Sequence, residues 1–159
     1  MLPFAAMVLP SGATLAASLG YGVLSALIPV VNAELYIAAA AAVVARAQQP
    51  AMVCVFTAGT MVGKTALYIV AERLMRSRSA KTQAAVNVWI DRLHERRRIV
   101  WPVVLASAVV GLPPMYPVTL AAGMLRIGVV GFFVVGFAGR FVRFSVITWA
   151  ANSWVATWL

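Results

Sequence analysis

The sequence predicts an all-α integral membrane protein, a polytopic helical bundle with two re-entrant, broken hairpin segments in inverted repeat. Three observations carry that expectation. The 159 residues are 63% apolar and 11% charged, with a mean hydropathy of +0.92, whereas soluble domains are about half apolar and about a quarter charged. No charged residue precedes Glu34. Prolines interrupt two apolar stretches at corresponding places in the two halves of the chain. A soluble fold needs polar surface to cover itself, while a bilayer solvates apolar side chains directly. The length suits a single domain over residues 1–159.

The start, Met1-Leu2-Pro3-Phe4, lacks the basic region of a signal peptide, so the first helix is expected to be retained. Segment 14–44 exceeds the ~20 residues of one crossing. It reads either as one long tilted helix or as a span followed by a short broken helix. Pro29 removes a backbone donor and disfavours helix at Ile28, which favours the break. Arg46, Gln48, Gln49 and Pro50 mark a polar turn. Segment 51–74 is the cleanest single span and ends in arginines.

The basic segment, about 76–98, differs in kind. Val86, Trp89, Ile90 and Leu93 share one helical face between 81 and 98, with Arg92, Glu95 and Arg96 largely off it, which suits an interfacial helix. A solvated loop helix is the alternative. Segment 99–127 is apolar again but carries Pro102, Pro113, Pro114 and Pro117. Non-helical backbone at membrane depth is tolerated only where protein buries it or a wet cavity accepts it. Residues 111–117 therefore read as the tip of a second hairpin. Segment 128–159 makes either one tilted span or two shorter helices, and Trp149, Trp154 and Trp158 suggest an aromatic belt. Paired interrupted segments point to a transporter-type binding site between two repeats.

Charge sharpens the reading. The net charge is +9, and much of it lies in Arg73, Arg76, Arg78, Lys81, Arg92, Arg96, Arg97 and Arg98. That is a cytoplasmic loop obeying the positive-inside rule and attracted to anionic headgroups, not a nucleic-acid surface. Cys54 is a lone thiol, expected to be buried as a small hydrophobe.

Among candidate site residues, Glu34 stands out, with Asn32 beside it. A carboxylate in a membrane segment costs several kcal/mol unless it is paired, protonated or wet, so it is a candidate for proton coupling. Arg140 and Arg143 share a helical face and suit bidentate phosphate binding, or neutralisation of Glu34 across the fold. Arg126 lies nearer a hairpin end. The run Gly59-Thr60-Met61-Val62-Gly63-Lys64-Thr65 has one residue too few between its glycines for a P-loop and no preceding strand. It reads instead as a small-residue packing face, with Lys64 a weaker polar candidate than Glu34. His94 is the sole histidine, and the four acidic residues are scattered. No metal site, cofactor or catalytic triad is expected, and no enzyme.

Several of these pieces resemble the DedA/VTT family of membrane proteins, relatives of the SNARE-associated Golgi proteins, and in particular its short YqaA-like branch. They are Pro29-Val30-Val31-Asn32-Ala33-Glu34-Leu35, then Gly59 and Gly63 with Tyr68, then Ala121-Ala122-Gly123-Met124-Leu125-Arg126, and finally Gly139-Arg140-Phe141-Val142-Arg143-Phe144. The resemblance implies two oppositely oriented re-entrant hairpins meeting at mid-membrane. It also implies movement of lipids, of phospholipid or polyprenyl-phosphate type, with a role for protons. Glu34 matches an acidic family position. The second hairpin departs from the larger members, which carry arginines shortly before the Ala-Gly pair where this chain has Leu112, Pro113, Pro114 and Met115.

The expected function is thus a lipid translocator or scramblase of the bacterial inner membrane, with segment 73–98 cytoplasmic. Anionic lipid headgroups are the expected partners, and self-association into a homo-oligomer is allowed. Two rivals are a proton-coupled exporter of small solutes or cations and a non-transport assembly factor that uses the Gly59–Gly63 face.

Overall fold

The computed structural model describes residues 11–28, 30–95 and 97–158. Helix is the only regular structure among them. Seven α-helices follow in order: α1 (Ser11–Leu27), α2 (Ala33–Val43), α3 (Gln49–Arg76), α4 (Ala80–Glu95), α5 (Arg97–Val109), α6 (Met115–Met124) and α7 (Val129–Trp158). A single 3-10 turn, Arg46–Gln48, precedes α3. Two stretches, Arg46–Arg76 and Val129–Trp154, are helices long and apolar enough to cross a membrane.

Segment 14–44 is broken, not continuous. Asn32 caps α2, its side-chain carbonyl accepting from the Glu34 and Leu35 backbone N–H groups at 2.9 and 3.2 Å. That bond satisfies orphan donors at the helix start, where the Glu34 carboxylate also complements the helix dipole. Pro29, proposed as the break residue, lies outside the described residues. So do the N-terminal segment and the side chains of Val86, Trp89, Ile90 and Leu93, on which the amphipathic face of α4 was expected.

The second break lies between Val109 and Met115. Gly111 adopts φ +86°, a region a side chain disfavours, and the Leu112–Pro113 peptide is cis. Pro114 is the N-cap of α6. Pro117 is not part of the break, contrary to expectation. It sits in the first turn of α6, where its missing N–H would have had no intrahelical acceptor anyway. Pro102 is likewise inside a helix, α5. Segment 129–158 is one helix of 30 residues, which decides between the two alternatives for that stretch.

Contacts give the directions. Phe56 meets Phe144, Met61 meets Gly136 and Tyr68 meets Phe132, so α3 and α7 run antiparallel. Gly22 faces Phe56 and Gly59, and Gly63 faces Val23 and Ala26, so α1 runs parallel to α3. Gly131 faces Trp101 and Gly139 faces Ala108, so α5 runs parallel to α7. Tyr36 stacks on Phe56 while the carbonyls of Ala41 and Val44 accept from Gln49, so α2 turns back against α3. The second short helix of each half crosses to the other half's long helix: α2 packs on α7, and α6 on α3.

The core has two centres. Met61, Tyr68, Val104, Ala108, Met115, Ala122 and Phe132 form one. Ile37, Ala40, Met52, Val53, Phe56 and Phe144 form the other. The glycine face of α3 is filled within the chain. A Cβ on Gly63 would lie 2.6 Å from the Ala26 Cβ, and one on Gly59 would overlap the Leu19 carbonyl. Close backbone approach at small residues is the physical use of such a face, and α1 occupies it here. Tyr68 is 1% exposed and accepts from the Gly128 N–H at 3.2 Å, tying α3 to the α6–α7 turn.

Candidate functional site

Both breaks open onto one cavity of about 330 Å³. Residues 30–34 of the first break line it, as do Gly111, Pro114 and Met115 of the second. Lys64 from α3 and Arg140 and Arg143 from α7 complete the polar wall, with Ser25 and Ser107 on the short helices. The breaks are what make this space. A continuous helix would have carried its own backbone through it.

Glu34 and Arg143 form an ion pair through Oε1 and Nη2, across 109 residues of sequence. The carboxylate side chain is half exposed and the guanidinium mostly covered. Arg143 also donates from Nη1 to the Val109 carbonyl at 3.5 Å, at the end of α5. Its guanidinium lies against Gly111, where any Cβ would collide with it. Gly111 is therefore required for its φ, and a side chain there would push the Arg143 guanidinium from its present position.

Arg140 is held differently. Its Nε is buried and has no hydrogen-bond partner among the described residues, and its guanidinium carbon lies 5.9 Å from the Phe144 ring centroid. Lys64 is 5% exposed, donates from Nζ to the Ala26 carbonyl at 2.9 Å, and stands 4.6 Å from the Tyr116 ring centroid. Three cations thus face one carboxylate in the same cavity. The wall carries an excess of positive charge, and one buried guanidinium nitrogen lacks an acceptor. Such a wall is suited to an oxyanion.

The fold brings Asn32, Glu34, Arg140 and Arg143 together, as well as Pro114. Asn32 has a structural task, the α2 cap. Arg126 is not among the residues lining the cavity. It occupies the turn between α6 and α7 with φ +52°, and its Nε is buried without a partner among the described residues. Gly59, Gly63 and Tyr68 serve packing and do not line the cavity. Lys64 belongs to the site on equal terms with the arginines, more than its sequence context suggested. Its signal was visible all the same: a lone lysine mid-way along an apolar helix. Among the described residues no three His, Cys, Asp or Glu side chains converge as metal ligands.

Fold and site together define an all-helical protein with a cationic cavity between two helix breaks. No family model, curated protein or solved structure matches the chain.

Proposed function

We propose that the chain is an integral membrane protein that binds the phosphate of a lipid headgroup in this cavity and moves the lipid between leaflets. The observation that carries the reading is the cavity wall itself: Lys64, Arg140 and Arg143 against the single carboxylate of Glu34, between two helix breaks.

Membrane residence is supported by the outer surface. Along α7 the exposed side chains include Val130, Val134, Val142, Val146 and Trp149, and along α3 Val62, Ile69, Val70 and Leu74. Apolar surface in continuous strips along two long helices is costly in water and favourable in lipid. Helices α2 and α6, of 11 and 10 residues, fall short of the ~20 residues of a full crossing. In this reading the α1–α2 and α5–α6 pairs are re-entrant hairpins of an inverted repeat, entering from opposite sides. The arrangement is the one the DedA/VTT resemblance implies, and the basic residues of segment 73–98 favour the cytoplasmic side for it.

The roles follow from chemistry. Arg140 offers an Nε–H donor without an acceptor among the described residues, and Arg143 supplies a second fork. Glu34 competes with the incoming phosphate for Arg143. A proton on Glu34 would release that guanidinium to the ligand, and loss of the proton would favour ligand release. The excess positive charge argues against a cation as cargo, and the filling of the Gly59–Gly63 face by α1 removes that face as a dock for a partner helix.

The test is leaflet exchange in liposomes. Purified protein should accelerate the movement of a fluorescent phospholipid or a polyprenyl phosphate, read by its accessibility to a membrane-impermeant quencher. Transport that is unchanged in the Glu34→Gln, Arg140→Ala double variant would overturn the mechanism.

A further inference from the structure

The two halves share a register at several positions around the cavity. Ser25-Ala26 near the end of α1 and Ser107-Ala108 near the end of α5 stand equally far before the caps Asn32 and Pro114. Each alanine packs on a glycine of the long helix of its own half: Ala26 on Gly63, Ala108 on Gly139. The residue after each glycine is a cation that lines the cavity, Lys64 in one half and Arg140 in the other. The aromatic pairs obey the same register. Phe56 on Phe144 and Tyr68 on Phe132 are the same contact made twice, with the halves exchanged. By that register Glu34, the second residue of α2, corresponds to Tyr116, the second residue of α6.

We propose that the cavity carries two quasi-equivalent oxyanion seats, one from each half, and that Lys64 is the cation of the second. The inference rests on reading the cavity as an anion site and extends it to a residue outside the arginine pair. In one seat Arg143 is engaged by Glu34, which leaves Arg140 with an unpartnered donor. In the other, Tyr116 stands where the carboxylate would be. Its ring face stabilises the Lys64 ammonium without neutralising it. An ammonium has three donors, and among the described residues Lys64 spends one, on the Ala26 carbonyl. Each half therefore presents one cation with unspent donors to the same cavity. The ligand group is a phosphate-type oxyanion, borne by a lipid or free.

The competing role for Lys64 is structural, a cation closing the end of α1 through the Ala26 carbonyl. Lys64→Gln separates the two, because the amide can still donate to that carbonyl while the charge is lost. The experiment titrates the purified full-length chain in neutral detergent with inorganic phosphate and, separately, with dioctanoyl phosphatidic acid, and follows thermal unfolding in parallel. Lys64→Gln should melt near the parent protein yet bind at least about tenfold more weakly, and Lys64→Arg should restore binding. Weakening toward one probe alone supports the seat and identifies its source, free phosphate or headgroup. Parent-like binding by folded Lys64→Gln overturns the second seat and leaves the arginine seat standing. Failure of the parent protein to bind either probe overturns the anion cavity and the second seat with it. Lys64→Met, of similar volume, is the second neutral variant if Lys64→Gln does not fold.

Discussion

Replacing Gly63 by alanine tests the contact that positions the first half of the cavity. A methyl group there would lie 2.6 Å from the Ala26 Cβ and 2.9 Å from the Val23 carbonyl oxygen, whereas carbon atoms in contact stay about 3.5–4.0 Å apart. Helix α1 would have to retreat by about 1 Å, and its Ala26 carbonyl, which holds Lys64, would move with it. Overpacking of this kind costs about 1–3 kcal/mol. Gly20 supplies the control, because it is also mid-helix and a Cβ there meets nothing within 4 Å. Both substitutions gain similar helix propensity, about 1 kcal/mol, so the difference between them isolates the packing cost. Thermal or denaturant unfolding in one detergent should place Gly63→Ala about 1–3 kcal/mol below Gly20→Ala. Equal stability of the two variants would refute the close approach of α1 to α3, and with it the placement of Lys64.

Further outcomes follow from the same geometry. Tyr68→Phe keeps the ring against Phe132 and leaves the Gly128 N–H without its acceptor, so it should cost about 1 kcal/mol in unfolding measurements. Gln49 and Asn152 exchange amide bonds at 2.7 and 3.3 Å between the start of α3 and the end of α7. Asn152→Leu should cost about 1–3 kcal/mol, and a double-mutant cycle with Gln49→Leu should show non-additivity, since the two amides share their bonds. Glu34→Ala should tighten the binding of inorganic phosphate severalfold, because it removes the only carboxylate among the described residues that line the cavity and frees Arg143; calorimetric titration against the parent protein reads the change. Weaker phosphate binding in that variant would show that the Glu34–Arg143 pair organises the site instead of competing for it.

The candidate site was partly legible because a charge in an apolar run is conspicuous whatever the fold. Glu34, Arg140 and Arg143 could be picked out on that basis. Their mutual distance could not, since 109 residues separate the ion pair. Lys64 reads from the sequence as a weaker polar candidate than Glu34, beside a packing face that Gly63 does form. The side chain of Lys64 projects elsewhere, because successive helical residues point about 100° apart. Arg126 had the same kind of signal as Arg140, yet its backbone turns at φ +52° between α6 and α7, and it does not line the cavity.

Composition and periodicity, which act locally, determined the helical class, the long apolar span of α3 and the two breaks. A proline lacks an N–H and an asparagine can replace one, wherever in space the segment ends up. Local chemistry did not decide that Pro117 would sit inside α6, nor that residues 129–158 would form one helix where two were also allowed. The tertiary structure decided those, and it alone decided which charges meet. Glu34 reaches Arg143 because α2 crosses to α7 while α3 and α7 run antiparallel. The same crossing of α6 to α3 sets Lys64 over Tyr116. Helix pairing depends on glycines and small side chains admitting a neighbour's backbone, and which neighbour arrives is a property of the whole chain.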